Sequence, residues 1–271
     1  MLHVRNFHPI SAATALVLAA AALSACDVMV NSMEGGHARA EQSWAKTYTL
    51  SGAGASVEIV NVNGTIAVET ADGNTLDVSA RLVARGATED AAREFLKQIE
   101  IGEEVTTGGV RLQAKWPRDQ RRRGVEITYT VKAPRSAKLT LETVNGSVKV
   151  NGAVAGLKAE TTNGSVEGNG LTGGVGASTT NGSVKIQMAS LGAEGLSLET
   201  TNGSIDLKLP GDAKATVSAR CVNGAISLVD LPFEKTSEAS RKKLEGRVNG
   251  GGASITAETV NGGIRIGRVV P

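Results

Sequence analysis

The sequence predicts an all-β protein: a β-solenoid or β-helix-like stack of rungs of 18–21 residues, preceded by a smaller β-rich part that carries one short helix. Three observations support this fold class. The dipeptide Asn-Gly recurs in one frame along the second half of the chain, and apolar and polar residues alternate on both sides of it. Of the 271 residues 33 are Gly, while only 3% are aromatic. Self-similar strands punctuated by glycine are typical of repeat architectures with a small aliphatic core.

Composition narrows the classes of function. Lys and Arg number 29 and Asp and Glu 27, a net charge of +2, whereas a nucleic-acid-binding domain is strongly basic. We therefore expect no nucleic-acid partner. Of the three histidines, His3 and His8 lie in the leader described next, so only His37 would remain after its removal. A His-based catalytic triad and a His-rich metal site are thus not expected, and no cofactor is expected either.

Residues 1–25 have the organisation of a signal peptide. Arg5 lies in a weakly basic start, and the apolar run 10–23 is shorter than the ~20 residues that a membrane span needs. It ends in Leu23-Ser24-Ala25-Cys26, which resembles the lipobox of bacterial lipoproteins. The resemblance implies cleavage before Cys26, a diacylglycerol on its sulfur and acylation of the new N-terminus. The alternative is an ordinary signal peptide followed by an unrelated cysteine.

Residues 26–42 are expected to tether the folded part to a membrane. Two or three acyl chains anchor a protein stably, and a flexible tether of this length spans roughly 22 Å. The location expected for an exported protein of this kind is the periplasmic face of the inner or outer membrane, and Asp27 resembles an inner-membrane retention signal. The other cysteine, Cys221, then has no disulfide partner. We expect it in the core, with a reactive thiol as the alternative.

Six copies of the Asn-Gly unit define the repeat of residues 135–271. Asn-Gly favours a tight corner, and the period-two alternation around it predicts half-buried strands. Because Thr, Asn and Gly recur in one register, stacked rungs would place each residue about 4.8 Å from its copy, where the two side chains can hydrogen-bond. A series of hairpins is the alternative. We predict a turn ladder whose members, separated by 18, 18, 21, 21 and 38 residues, are Asn145, Asn163, Asn181, Asn202, Asn223 and Asn261.

The flanks of the repeat are predicted from local patterns. Residues 43–134 form the β-rich N-terminal part, with a helix over about 88–99 that Thr88 caps and whose apolar stripe includes Phe95. Within the repeat, Gly168 replaces an inward aliphatic residue, so we expect a bulge or weaker packing there. A charged insertion over about 233–246, with helix as one option, interrupts the repeat before its last rung.

These units together resemble a known family. An early Asn63-Gly64-Thr65-Ile66 unit, an Ala-Asp-Gly-Asn turn, a short helix and a hairpin precede serial Thr-x-Asn-Gly-Ser-Val units. Over residues 45–268 this order resembles the bacterial β-strand repeat proteins of unknown function that are often labelled "putative adhesins". The resemblance implies an extended β-repeat fold at the cell envelope, and it carries no established catalytic residues. The charged insertion and the lipid anchor depart from the plain pattern.

Two sets of charged residues are candidates for binding. Arg118, Arg121, Arg122 and Arg123 lie in one hairpin loop, where they could meet anionic lipid headgroups or envelope polysaccharide. The alternative is an exposed loop without a partner. Outward glutamates would form a column, interrupted by Ser178 and Arg220, that could bind cations or supply a glycosidase-like pair, although a solvated face is the simpler interpretation. The column comprises Glu142, Glu160, Glu199 and Glu258.

The sequence therefore favours a non-enzymatic, membrane-anchored envelope lipoprotein. Its rigid β-repeat surface would act as an adhesin-like scaffold or binding module, and its solenoid ends could mediate association between copies. The alternative is a β-helix enzyme that acts on polysaccharide. That alternative predicts a groove rich in aromatic and acidic residues, but the main repeat contains no aromatic residue with a polar group.

Overall fold

The computed structural model describes residues 19–20, 38–52, 54–117, 124–236 and 240–269. In these segments the chain forms one helix, α1 Glu89–Leu96, and two large sheets. The strands are β1 Ala19–Ala20, β2 Ala38–Thr49, β3 Ser56–Val60, β4 Ile66–Ala71, β5 Thr75–Gly86, β6 Glu100–Thr106, β7 Gly109–Lys115, β8 Val125–Pro134, β9 Lys138–Asn145, β10 Val148–Asn151, β11 Gly156–Asn163, β12 Val166–Leu171, β13 Gly174–Asn181, β14 Val184–Met188, β15 Leu196–Asn202, β16 Ile205–Leu209, β17 Ala215–Asn223, β18 Ile226–Val229, β19 Phe233–Lys235, β20 Lys243–Val248, β21 Ala253–Asn261 and β22 Ile264–Arg268.

The fold is a β-solenoid. Each rung contributes one strand to each sheet, and successive rungs pair in parallel. The first sheet has the order β1-β2-β5-β8-β4-β10-β12-β14-β16-β22-β18, and the second has the order β19-β20-β17-β21-β15-β13-β11-β9-β3-β7-β6. The early strands β3 and β4 belong to the same stack as the repeat, because β3 pairs with β9 and β4 with β10.

Rung order in space departs from rung order in the sequence at both ends of the solenoid. At one end β7 and β8 lie outside β3 and β4, although they follow them in the chain. At the other end β21 and β22 insert between the rung β15/β16 and the rung β17/β18. The outer edge of β17 is occupied by the antiparallel β20, which leaves its inner edge for β21. The last rung in the sequence is thus not the last in space.

The charged insertion over 233–246 is not helical in its described residues. It contributes β19 and β20, which pair with each other in antiparallel fashion. In β20 Leu244, Gly246 and Val248 are buried and alternate with exposed or half-buried residues, the period-two pattern of a strand. This hairpin covers the end of the second sheet. Lys243, Glu245 and Arg247 are the outward half of that alternation.

Antiparallel strands and the helix cover the opposite end. β2 and β5 extend the first sheet, and β6 extends the second. Residues 38–42, expected in the tether, belong to β2 because they pair with 82–86 of β5. The Thr88 hydroxyl accepts a hydrogen bond from the Ala91 amide at the start of α1, and Phe95 is fully buried. β1 pairs with β2 at Tyr48 and Thr47.

Small aliphatic side chains fill the space between the sheets, as the composition indicates. Gly168 itself pairs in regular register with Val150 and Ile186, and the register shift lies two residues later, between Asn169 and Leu171. The packing at Gly168 is not weak either. A Cβ atom on Gly168 would lie 2.6 Å from Leu171 Cδ1 and 3.0 Å from Ile186 Cδ1, so these two side chains take the missing volume.

Candidate functional site

The corner between the two sheets carries one continuous file of asparagines, here called the Asn ladder. From Asn145 onwards, each Nδ2 donates to the Oδ1 of the asparagine one rung nearer Asn63, at 2.7–2.9 Å, which gives six consecutive bonds. At this end of the ladder Asn63 Nδ2 donates to the Val125 carbonyl of the adjacent outermost rung. The structure therefore brings together all six asparagines singled out in the sequence and adds Asn63. Their spatial order is Asn63, Asn145, Asn163, Asn181, Asn202, Asn261, Asn223.

The buried threonines two residues before the ladder stack in one file but do not bond to one another. Each hydroxyl instead donates to the carbonyl of the corner glycine in the preceding rung, for example Thr161 to Gly146 O at 2.8 Å and Thr179 to Gly164 O at 2.9 Å. Cys221 takes the threonine position in the outermost rung, where it is 2% exposed and its Sγ lies 3.7 Å from Arg241 O. It is a core residue, as expected. The expectation of side-chain bonds between copies holds for asparagine and fails for threonine.

Glycine is required at the corner because the rungs approach each other closely there. A Cβ atom on Gly164 would lie 2.0 Å from Gly146 O, and one on Gly182 would lie 1.9 Å from Gly164 O. No side chain fits at such distances, since the obstructing atoms belong to the backbone. The corner therefore forms a ridge of closely stacked backbone from which the polar ladder projects. Across the seven rungs that carry the ladder this ridge is about 29 Å long.

Beside the ladder, on the outer face of the second sheet, lies a groove of about 380 Å³. Because β21 is inserted, Glu258 lies directly between Glu199 and Arg220. The column of glutamates predicted from the sequence is thus interrupted only by Ser178, and Arg220 lies at its end. Thr180 and Thr201 form the side of the groove nearest the ladder, and the exposed Val222 and Val260 continue that side.

The outer face of the first sheet carries an alternating file of charges next to the corner. It contains Lys149, Glu167, Lys185, Asp206 and Arg265, each a register partner of the next. Lys149 Nζ lies 3.8 Å from Glu167 Oε2. A second groove of about 250 Å³ opens where Asp206 and Arg265 meet Ser204 and Ser227. The alternation arises because β22 lies next to β16 in space, which makes Arg265 the neighbour of Asp206. If the rungs were stacked in sequence order, Ser227 would lie between these two residues.

The arginine loop belongs to the outermost rung at the opposite end. Arg118, Arg121, Arg122 and Arg123 lie outside the described residues, but both ends of the loop are placed. They are the end of β7 and Gly124, whose carbonyl accepts a hydrogen bond from Arg85 N at 2.9 Å. Arg85 in turn is the register partner of Arg39 in β2. Ala38, where the chain enters the fold, is therefore two strands from the base of the loop, about 10 Å. Cys26 also lies outside the described residues.

A buried tyrosine pair lies at the same end of the solenoid. Tyr48 Oη donates to Glu103 Oε2 at 2.8 Å, and Lys46 Nζ donates to the same oxygen at 2.6 Å. Burial, and then the hydrogen bond to Glu103, raises the pKa of Tyr48 above its usual value of 10. Burial alone raises the pKa of Tyr129 to about 12, and its hydroxyl has no hydrogen-bond partner in the described part of the chain. Both tyrosine side chains are fully buried, so they belong to the core.

The described segments contain neither a metal-binding cluster nor a membrane-spanning helix. No group of three or more His, Cys, Asp or Glu side chains there could hold a metal ion. No helix among those segments has the length and apolar character needed to cross a membrane. The described surface therefore offers an extended polar corner with two flanking grooves.

Stacked two-strand rungs with an Asn ladder at the corner define a β-solenoid repeat protein. Residues 125–267, more than half of the chain, match the family described as "Toastrack DUF4097", and the chain belongs to that family. No curated protein sequence matches the chain.

Two solved structures are similar in fold. One is described as a "putative cell adhesion protein" from Clostridium sporogenes, with 15% identity and a TM-score of 0.47, covering 84% of this chain and 100% of that one. The other is described as a "putative adhesin" from Bacteroides fragilis, with 12% identity and a TM-score of 0.41, covering 84% and 97%.

Proposed function

We propose that this protein is a non-enzymatic binding module of the bacterial envelope, held at a membrane by lipid on Cys26 and presenting the Asn-ladder corner to its ligand. The observation that carries the proposal is the continuous ladder itself. Its amides are fixed by bonds between rungs, so the surface needs little ordering when it binds. Exposed Val62, Val144, Val222 and Val260 add apolar area along the same ridge.

The charges beside the ladder supply the polar contacts of such a module. Within the described segments neither Glu258 nor Arg220 forms an ion pair, although they are neighbours in the sheet, and Arg265 forms none either. Charges that are fixed on rigid strands and not neutralised locally are available to a ligand and give specificity more than raw affinity. Polysaccharide with charged substituents is a ligand of this chemistry.

The arginine loop gives this ligand, or the membrane itself, a second contact. Because Ala38 lies about 10 Å from the base of the loop, a tether that runs from Cys26 to Ala38 would bring the loop close to the lipid surface. Arg118, Arg121, Arg122 and Arg123 would then meet phosphate or carboxylate groups, which guanidinium groups bind in a bidentate manner. The solenoid would stand with this end towards the membrane.

The anchor is tested by Cys26→Ser. We expect the full chain to move from the membrane fraction to the soluble fraction and to lose incorporation of labelled fatty acid. Cys221→Ser is the matched control and should remain membrane-bound. Retention of the Cys26→Ser protein in the membrane would contradict the lipid anchor.

The ligand is tested with anionic vesicles, zwitterionic vesicles and an acidic polysaccharide. Replacing the four loop arginines by Gln should weaken binding to whichever anion is bound by about 1000-fold, since each arginine near an anionic surface contributes about 1 kcal/mol. The control carries Arg241→Gln, Lys242→Gln and Lys243→Gln at the other end of the solenoid and should bind normally. An equal loss of binding in both variants would mean that binding depends on the net charge of the protein and not on the loop. Release of cleaved polysaccharide would establish the enzyme alternative instead.

A second copy of the chain is the partner proposed for the open end. β18 is the last strand of the first sheet, and the second sheet is covered at that end by β20. Ile226 N at the start of β18 already donates to Arg241 O at 3.0 Å, and the rest of the β18 edge could pair with its copy about a two-fold axis. Sedimentation of the full chain at rising concentration should show a dimer, and a monomer at every concentration would contradict this association.

A further inference from the structure

We propose that Asn223-Gly224 is a modification site, where spontaneous deamidation converts the last asparagine of the ladder to aspartate and isoaspartate before any other corner asparagine reacts. The proposal is independent of the ligand and goes beyond the binding function. It follows from the way in which the stack protects the other corners and leaves this one open.

Six corner glycines have their amides held by the next rung. The N–H of Gly164 donates to Asn181 O at 3.0 Å, and that of Gly203 donates to Asn261 O at 2.9 Å. The same bond occurs at Gly64, Gly146, Gly182 and Gly262. Each of these glycines is only half exposed. The side chains of their asparagines are held as well, because Nδ2 donates and Oδ1 accepts within the ladder.

Asn223 lies at the end of the ladder, where this protection stops. Within the described part of the chain the N–H of Gly224 has no hydrogen-bond partner. Asn223 Nδ2 donates to Asn261 Oδ1 at 2.9 Å, but no described group donates to Asn223 Oδ1. All four residues 222–225 are exposed, in contrast to the other corners. The inversion of the last two rungs produces this situation, since it places Asn223 and not Asn261 outermost.

The chemistry needs no reagent except water. The backbone nitrogen of Gly224 loses its proton and attacks Cγ of Asn223, a C–N bond forms, and ammonia leaves from the side chain. Water then opens the succinimide ring at either carbonyl, which gives aspartate or isoaspartate at position 223. One water is consumed and one ammonia is released, with no change of oxidation state. A held N–H must first break its bond to the next rung, which slows the attack at the other six corners.

Deamidation would alter the outermost rung in two ways. The new carboxylate has no amide hydrogen to donate to Asn261 Oδ1, so the last bond of the ladder is lost. A negative charge also appears at the exposed corner beside Arg220 and Lys242. We expect the end rung to open more often in aged protein, whereas the interior rungs stay intact.

The test is peptide mapping by mass spectrometry of the folded full chain, incubated at mildly alkaline pH. The expected result is isoaspartate at position 223 at a rate about tenfold or more above the rate at each other corner, because at least two fewer hydrogen bonds must open. The difference should disappear in denaturant. Comparable rates at the interior corners of folded protein, or a preference for Asn223 that persists in denaturant, would overturn the proposal.

The variant Asn261→Ala separates the effect of the glycine amide from that of the side chain. It removes the side-chain bonds that Asn202 and Asn223 make to residue 261, but it leaves Gly203 N bonded to the backbone carbonyl of residue 261. Asn202 should therefore stay slow while Asn223 reacts at least as fast as before. Rapid deamidation of Asn202 in this variant would show that the glycine amide is not what protects the corner.

Discussion

Asn223 donates a hydrogen bond to Asn261, 38 residues later in the chain, and lies outside it in the stack. The segment that contains Asn261 thus enters a slot between two rungs formed by earlier residues. In an ordinary solenoid the last residues form the last rung and contact only one neighbour. Here the last described strands, β21 and β22, hold the outermost rung against the others.

This order predicts an unusual effect of truncation. A chain that stops after Asn249 lacks β21 and β22, which are the parallel neighbours of β17 and β18 in the described part of the chain. We expect residues 215–248 to become sensitive to protease, although they are retained. Limited proteolysis with peptide identification measures this. If the rungs were stacked in sequence order, the same truncation would leave 215–248 protected.

The close approach of corner glycines predicts a position-specific effect of alanine. Gly164→Ala places a Cβ atom 2.0 Å from the backbone oxygen of Gly146, which cannot rotate away. We expect a loss of about 3 kcal/mol or more in the free energy of unfolding. Gly176→Ala is the matched control on β13, where the nearest atom lies 4.0 Å away. It should be neutral or stabilise by about 0.5–1 kcal/mol. Denaturant unfolding of both variants measures these two free energies. A mild effect at Gly164 would contradict the close approach of the two corner glycines.

The ladder predicts that an interior asparagine contributes more to the free energy of unfolding than the asparagine at the end of the ladder. Asn181→Ala removes two side-chain bonds, one to Asn163 and one from Asn202. The expected loss is about 1–2 kcal/mol. Asn223→Ala removes a single bond at the end of the file and should lose about half as much. Equal losses, measured by urea unfolding, would mean that the asparagines act through corner conformation and not through the ladder.

Tyr129 predicts a dependence of stability on alkaline pH. Its folded pKa is about 12, above the usual value of 10, so its contribution is complete below pH 10. As the pH rises from 10 to 12 the unfolded chain ionises first, and stability falls. Tyr129→Phe should be close to neutral at pH 7, because the hydroxyl has no partner, and should reduce this fall. Urea midpoints at about pH 9 and about pH 11 compare the two proteins. If stability fell with pH as steeply in the variant as in the parent protein, Tyr129 would not be a source of the fall. Tyr48 continues to contribute in both proteins.

Much of the corner follows from local sequence. Asn-Gly sets the turn, the alternation on either side sets which residues point inwards, and the common frame places Thr179 above Thr161. These are short-range effects, so a single rung is enough to predict them. The hydrogen bond from Thr161 to Gly146 O was not predicted, since it depends on how far one rung shifts relative to the next.

The sequence by itself determined the rung: its strands, its inward aliphatic residues and its asparagine corner, all of which repeat within about 20 residues. Only the tertiary structure decided the order of the rungs, and with it the pairing in register of Glu199 with Glu258 and the exposed end at Asn223. The physical reason is that rungs with the same register present nearly equivalent edges. Which edge β21 occupies is decided by competition with β20 for β17, a long-range choice that no local pattern encodes.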